Sequence, residues 1–436
     1  MRSDDTIFAT ASGYGRAAVS LIRISGRQSR FILQTLAGSV PTPRRAAVRV
    51  LREPGTGEPL DQALVLWMPG PGSFTGEDQA ELHIHGGLAT RAAVLRALSA
   101  MEDCRPAEAG EFTRRAFLNG RMDLSQVEGL ADVIDAETEA QRRQAMLQLE
   151  GRLGQAAERW REDILQVLAF LEASLDFSDE GDVPADLEAD ILRRLGLIGR
   201  DLAGILANRT GERLREGLSV VLAGPPNAGK STLLNTLARR DVAIVSPMAG
   251  TTRDIIEVHC DLGGLPVIVA DTAGLRESGD AIEQEGVSRA RARAQEADLV
   301  LWLIPPEGPE TEAPPARRLL RVGTKADLGG SRADCDLLVS AASGEGIPEL
   351  IERLAAEAEA ALGGGDAVVT RERHRNALER AHACVLRARQ MLETDGPLEL
   401  AAEEVRLASR AVGEITGRVD VEHVLDRLFS SFCIGK

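Results

Sequence analysis

The stretch GPPNAGKSTLLN, Gly224 to Asn235, constrains this chain more than any other, because it contains the pattern G-x-x-x-x-G-K-[ST]. The apolar run Leu218 to Ala223 precedes it, and Leu233, Leu234 and Leu237 follow at helical spacing, so the pattern predicts a strand, a tight loop and a helix. Gly224 and Gly229 allow the backbone to turn its N–H groups onto a phosphate at the start of a helix, whose dipole favours anions. Within the loop Asn227, Ala228 and Gly229 line the phosphates. Lys230 adds positive charge beside the β- and γ-phosphates, Ser231 is the expected Mg2+ ligand, and Thr232 follows in the first helical turn.

The rest of the chain has to provide the remaining parts of a nucleotide site, and it does so in order. AGTTRD, Ala249 to Asp254, precedes a strand predicted over Ile255 to Leu262, and Thr252 is placed to complete the Mg2+ shell. The predicted strand Leu265 to Ala270 runs into DTAG, where Asp271 would reach Mg2+ through water and the Gly274 N–H would sense the γ-phosphate, with Thr272 and Ala273 between them. TKAD, Thr324 to Asp327, follows a strand predicted over Leu319 to Val322. A carboxylate at Asp327 accepts both the N1–H and the 2-amino hydrogen of guanine, a donor pair adenine lacks, and Thr324 and Lys325 complete that loop. Ser340 and Ala341, after a strand predicted over Leu337 to Val339, form the last base-contact loop. These four segments together resemble the translation-factor-related GTPases, with one departure: Thr324 stands where that group usually has Asn. The position after Gly274, which carries a water-orienting Gln in many small GTPases, is Leu275. Three carboxylates nearby, Glu277, Glu283 and Glu285, are alternatives. No arginine finger is evident, and Asn227 suggests a monovalent cation in its place, against its other reading as a turn residue.

Around this unit the character of the chain changes. Residues 1 to about 120 mix short β-like runs (Ala18 to Ile24, Ala63 to Trp67, Ala80 to Ile84) with a helical stretch over Arg91 to Met101, an α+β pattern. His83 and His85 alternate along one run and share a face, where packing is the expected role. From Leu124 helical periodicity takes over, with Ser125 and Glu128 at capping-box spacing, and another helix is predicted over Leu187 to Leu206. Beyond Gly363-Gly364-Gly365 helices recur near 368 to 393, 398 to 412 and 419 to 431. Two helical segments therefore flank the α/β unit, which is expected to be inserted into a helical domain. Arg371, Arg373, Arg375 and Arg380, and Arg213 with Arg215, interleave with Glu and read as solvated charged faces rather than a nucleic-acid surface. The net charge of -16 excludes broad nonspecific affinity for nucleic acid. Five cysteines, odd in number and without a C-x-x-C pair, argue against a disulfide framework or zinc site. With no apolar run of membrane-spanning length and an acidic N-terminus, the expected location is cytoplasmic.

The last four residues, CIGK, Cys433 to Lys436, make the reading specific. Together with DTIFATAS, GRAAVSLIRISG, SFTGEDQAELHIHGG and EFTRRAFLNGRMDLSQVEGLADVIDAET, they resemble the MnmE or TrmE family of tRNA uridine-modifying GTPases over essentially the whole chain. The resemblance implies a multi-domain α/β fold class: an N-terminal α+β folate-binding and dimerisation domain (1–120), a discontinuous all-α helical domain (121–216 and 366–436), and an inserted P-loop GTPase domain (217–362) with a doubly wound, mostly parallel sheet. It implies a homodimer, an FAD-dependent partner of the MnmG or GidA type in a hetero-oligomer, and tRNA as substrate. The product would be 5-carboxymethylaminomethyl or aminomethyl uridine at the wobble position, built with a tetrahydrofolate one-carbon unit, and the cofactors would be Mg2+ and K+. It implies folate contacts at Arg23, Glu81, Arg121 and Lys436. Arg121 is a Lys in some relatives, a change that keeps the charge and alters the geometry. It also implies a K+ site of Asn227, Ser246, Met248 and Thr251, in a GTP-contacting segment that includes Pro247, Ala249 and Gly250, and Glu283 as the catalytic acid. Cys433 and Lys436 would act with it as functional residues of the tail. A GTP-switched ribosome-assembly factor is the alternative, since its GTPase core is similar, but it leaves the N-terminal domain and CIGK without a role.

Overall fold

The computed structural model describes residues 5–13, 15–176, 185–240, 242–244, 257–271, 292–307, 312–329, 334–363, 367–419, 422–430, 432, 434 and 435. The chain parts into two compact units, one of Met1–Ala131, Gly154–Glu158 and Val412–Lys436, the other of Asp132–Leu153 and Arg159–Ala411.

The first unit is built on a six-stranded sheet: β1 (Thr6–Thr10), β2 (Ala17–Ser25), β3 (Ala47–Arg52), β4 (Pro59–Met68), β5 (Gln79–Gly86) and β6 (Cys104–Pro106), in the order β3-β4-β5-β2-β1-β6. All neighbours are antiparallel except β1 with β6. Strict alternation sets its faces: Ile22 and Ile24 on β2, Ala80, Leu82 and Ile84 on β5, and Val65 and Trp67 on β4 are buried in one core. Helices α1 (Ser29–Ala37) and α2 (Leu88–Ser99) cover that side, supplying Ile32, Leu33, Leu36, Val94 and Leu98. The opposite side carries Arg23 and Glu81, which is why the same strands can hold both a core and a polar site. It is partly closed by α3 (Glu111–Leu118), whose Phe112 packs with Ile7, Ala9 and Ala107.

Helix α4 (Leu124–Asp135) begins where the helical periodicity does, ahead of the start a cap at Ser125 would give. Ser125 and Glu128 have capping-box spacing but lie inside the helix and are buried. The cap is Asp123: its Oδ1 accepts from Gln126 N–H at 2.9 Å, and Gln126 Oε1 accepts from the Asp123 N–H at 3.0 Å. Asp123→Ala is expected to cost about 1 kcal/mol, read as a lower melting temperature with nucleotide affinity unchanged.

In the second unit, helices α5 (Glu139–Leu149), α6 (Arg152–Asp176, apart from its Gly154–Glu158 segment), α7 (Ala185–Ala207) and α8 (Thr210–Glu216) lead into a second six-stranded sheet. Its strands are β7 (Leu218–Ala223), β8 (Glu257–Leu262), β9 (Leu265–Asp271), β10 (Leu299–Ile304), β11 (Leu319–Gly323) and β12 (Leu337–Leu338), ordered β12-β11-β10-β7-β9-β8. All pairs are parallel except the β8–β9 hairpin, so the sheet is doubly wound and mostly parallel as expected. Its strands read as near-continuous apolar runs because both faces are covered: Val220 and Leu222 pack on α9 (Lys230–Ala238) and α10 (Ile347–Leu362), while Val221, Ala223 and Val300 pack with Ala294 and Ala297. The hairpin is tied to the helices. His259 Nδ1 lies 2.7 Å from a Glu137 carboxylate oxygen, and the Ala140 N–H donates to the Gly264 carbonyl at 3.1 Å.

Helix α11 (Glu372–Glu393) corrects the reading of its arginines. Arg375 is 6% exposed and donates to the Glu212 carboxylate and to the carbonyls of Leu206 and Asn208. Arg371 and Arg215 share the Asp132 carboxylate at 2.7 and 3.0 Å. These side chains stitch distant segments together, which local charge alternation cannot reveal.

Candidate functional site

The loop between β7 and α9 sits at the carboxyl end of a central strand, where ligands of open parallel sheets bind. Gly224 has φ +153 and a Cβ there would lie 2.6 Å from the Leu303 carbonyl, so only glycine lets the loop leave β7 at that angle. Asn227 adopts a left-handed φ of +59, which Asn tolerates better than most residues, and it is exposed. That geometry accounts for its value as a turn residue.

Lys230 Nζ donates to the carbonyls of Gly224 and Pro225 at 2.9 and 3.0 Å, folding the cation back over its own loop. Burial pushes its pKa below the usual lysine value, and Asp271 offsets part of that shift. An arriving polyphosphate supplies the negative charge this half-buried ammonium lacks. Ser231 Oγ donates to Asp271 Oδ2 at 2.6 Å. A hydroxyl and a buried carboxylate thus converge beside the loop, two hard oxygen donors of the kind Mg2+ selects, so the residues present fit that ion. The base loop is equally formed. Thr324 is buried and its hydroxyl donates to the Ala228 carbonyl at 2.8 Å, joining the base loop to the phosphate loop. Lys325 adopts φ +57, and the Ser340 hydroxyl donates to Asp327 Oδ1 at 2.5 Å, fixing the carboxylate.

Ser246, Pro247, Met248, Ala249, Gly250, Thr251, Thr252, Thr272, Ala273, Gly274 and Glu283 lie outside the described residues, as do Cys433 and Lys436.

The second constellation lies in the first unit. Arg23 and Glu81 are direct partners in the β2–β5 register, and Arg23 Nε donates to Glu81 Oε1 at 3.2 Å. The Arg23 guanidinium is 5.5 Å from the Phe74 ring centre and 5.9 Å from that of Phe112. Neither phenylalanine was evident as part of this site from the sequence. The signal available is the shared Phe-Thr in SFTGED and EFTRRAF, two distant segments that flank one arginine. Arg121 is exposed, and its stem lies against the turn at Gly76, where a Cβ would meet its Cγ at 3.3 Å. Beneath the turn, Glu77 accepts from the Ser25 hydroxyl at 2.7 Å and from Arg115 at 3.0 Å. Of the tail, Ile434 bridges Ala109, and a Cβ on Gly435 would lie 2.4 Å from the Thr10 carbonyl. Thr10 pairs with Ile22, one residue from Arg23, so Gly435 lies beside the strand that pairs with the one carrying Arg23.

His83 Nε2 lies 3.4 Å from Glu81, and His85 Nδ1 lies 2.7 Å from Asp61. Among the described residues no group of three or more His, Cys, Asp and Glu side chains could hold a metal. Burial pushes the Cys104 thiol up to about 12 and that of Cys260 up to about 11, so both are weak nucleophiles. No helix among the described residues is long and apolar enough to cross a membrane.

Comparison with known proteins agrees with this geometry. A family model described as "GTP-binding protein TrmE N-terminus" matches residues 6–121, and one described as "MnmE helical domain" matches 124–433. The protein "tRNA modification GTPase MnmE" of Methylobacterium sp. (strain 4-46) is 62% identical over 440 residues, covering 99% of this chain and 100% of its own length. Its counterpart of the same name in Methylorubrum populi is 58% identical, covering 99% and 98%. Among solved structures, the G domain of the T. maritima FeoB iron transporter covers 32% of this chain and 98% of its own at 20% identity, with a TM-score of 0.24, too slight a likeness to argue from. A chain with this phosphate loop, matched from end to end at such identity, belongs to the MnmE family of tRNA modification GTPases.

Proposed function

We propose that this chain is a potassium-activated GTP hydrolase that modifies tRNA. With an FAD-dependent partner of the MnmG or GidA type, it forms 5-carboxymethylaminomethyl or aminomethyl uridine at the wobble position of certain tRNAs, using a one-carbon unit from a tetrahydrofolate derivative. The observation that carries the reading is the end-to-end identity of 62% with a protein named for that GTPase. Nucleoside mass spectrometry of tRNA from cells lacking the chain tests it. Loss of the wobble modification is the expected result; unchanged nucleosides alongside a ribosome-assembly defect would move the assignment to an assembly factor.

Backbone N–H groups of 227–232 and Lys230 bind the phosphates, Ser231 with Thr252 would hold Mg2+, and Asp271 acts behind them. Mg2+ when bound supplies charge neutralisation between phosphate oxygens. Asp327 orients guanine. Glu283, the position the family resemblance singles out among Glu277, Glu283 and Glu285, is assigned as the residue that positions or deprotonates the attacking water, a task for which Leu275 has no group. The strand Leu265–Asp271 joins the nucleotide site to Gly264 and thence to Ala140, a route by which the state of the nucleotide reaches the helices.

Asn227, Ser246, Met248 and Thr251 are assigned to K+, whose charge beside the phosphates would replace an arginine. The exposure of Asn227 supports this, because its amide oxygen is free to turn outward. GTP turnover is expected to be faster in KCl than in NaCl by at least about tenfold at equal ionic strength; equal rates would refute the cation role.

Arg23, Glu81, Arg121 and Lys436 are assigned to the folate, Arg23 and Arg121 as the positively charged partners of its carboxylates and Glu81 as the group that aims Arg23. Cys433 and Lys436 of the tail are assigned to the modification chemistry at that site. A homodimer through the first unit is supported by the open side of its sheet, where Val48, Val50 and Leu64 are 56%, 41% and 37% exposed on neighbouring strands. The proposed compartment is the cytoplasm.

A further inference from the structure

Thr324 stands where the GTPases resembled by this chain usually have Asn, and its surroundings define what the substitution changes. The residue is 8% exposed, and its hydroxyl donates to the Ala228 carbonyl at 2.8 Å. A hydroxyl carries a single proton. That proton is committed to the phosphate loop, so Thr324 has acceptor capacity left and no donor. An Asn amide has two N–H groups and could keep the bond to Ala228 while offering the second to a ligand.

The edge of the base that would meet residue 324 follows from the two loops it joins. The phosphates lie on 224–231, and the Watson–Crick edge faces Asp327, which is exposed and held by Ser340. In the anti conformation a purine turns its N7 side toward its own 5′-phosphate. N7 therefore faces back toward the phosphate loop, on the side where Thr324 bridges to Ala228. Guanine N7 is an acceptor with no hydrogen. It needs a donor, and Thr324 has none to give.

We propose that this chain reads guanine without a side-chain donor to N7 from position 324, so that base selection falls on Asp327 and the Watson–Crick edge. Thr324 is thereby a positioning residue that ties the base loop to the phosphate loop. The inference rests on the reading of the chain as a guanine-nucleotide hydrolase.

The test compares GTP with 7-deaza-GTP, in which N7 is replaced by C–H, by competition against a fluorescent GDP analogue on the full chain. Native protein is expected to bind the two within about twofold of each other. Thr324→Asn is expected to acquire a preference for GTP of about three- to tenfold, the worth of one net hydrogen bond. Thr324→Val, which loses only the Ala228 bond, is expected to weaken both ligands by the same factor and leave their ratio unchanged. A merely structural role would not move that ratio in the Asn variant. A native preference for GTP of tenfold or more, or an unchanged ratio in a folded Thr324→Asn, overturns this inference alone. Failure of the native chain to bind either nucleotide overturns the guanine-nucleotide reading, and this inference with it.

Discussion

Replacing Lys230 by alanine is expected to lower GTP turnover by about a thousandfold, with little change in the melting temperature of the nucleotide-free chain. The two effects separate because of what Lys230 does before and after a nucleotide arrives. In the free chain its ammonium donates to the carbonyls of Gly224 and Pro225, half-buried groups at the surface that water can serve in its place, and Asp271 offsets part of its desolvation. Its burial already works against its charge, as the depressed pKa shows. With GTP bound, the same desolvation strengthens its attraction to the β- and γ-phosphates, and no other described cation in the loop replaces it. The pKa gives a second check on sign. A depressed lysine is neutralised as pH rises through its folded value, so nucleotide affinity is expected to fall with rising pH in the alkaline range in native protein, and to lose that dependence in Lys230→Ala. Stopped hydrolysis assays and calorimetric titration across pH measure both. Turnover near the native rate in the alanine variant would remove Lys230 from the mechanism.

The parts of the molecule legible in the sequence are those whose chemistry is local. The strand before the phosphate loop, Leu218–Ala223, falls where the apolar run predicts, and Lys230 opens α9, because four residues of fixed spacing encode the turn. The predicted runs at Ala18–Ile24, Ala63–Trp67 and Ala80–Ile84 lie within β2, β4 and β5 for the same reason: alternation is a property of consecutive residues. Strands β1, β3 and β6 carry a weaker local signal, being short or flanked by polar residues. What local sequence does not carry is register. The Arg23–Glu81 pair joins residues 58 apart, and Glu137 meets His259 across 122. Ser125 and Glu128 show how spacing misleads: the pattern fits, but burial puts both inside the helix and gives the cap to Asp123. The arginines of α11 show the same limit, since Arg375 looks like a solvated charge until Glu212 is brought to it.

Removing the Arg23 side chain is expected to weaken binding of a reduced folate by about a hundredfold or more, and to abolish tRNA modification, while GTP hydrolysis continues. The magnitude follows from the pair it belongs to. Arg23 is three-quarters buried and Glu81 more so, at 23% and 15% side-chain exposure. Truncating one member of a hydrogen-bonded, largely buried charge pair typically costs about 2–5 kcal/mol, because the other is left without its partner. Arg23→Ala therefore loses a cation for the ligand and leaves Glu81 repelling the ligand's carboxylates. Arg23→Lys distinguishes charge from shape. Lysine keeps the charge but lacks the flat guanidinium that lies over the rings of Phe74 and Phe112 while its Nε bonds Glu81. It is expected to restore the charge-dependent part of folate binding and little of the modification. Glu81→Gln should act in the opposite sense on repulsion: it keeps an acceptor for Arg23 and removes the negative charge, so folate binding should fall far less than in Arg23→Ala. Fluorescence titration with a reduced folate, GTP turnover and tRNA nucleoside analysis on the same three variants give the comparison. Because the pair sits in one compact unit and the phosphate loop in the other, loss of GTP turnover in Arg23→Ala would mean a damaged chain. Full folate binding in that variant, with turnover intact, would take Arg23 out of the folate site.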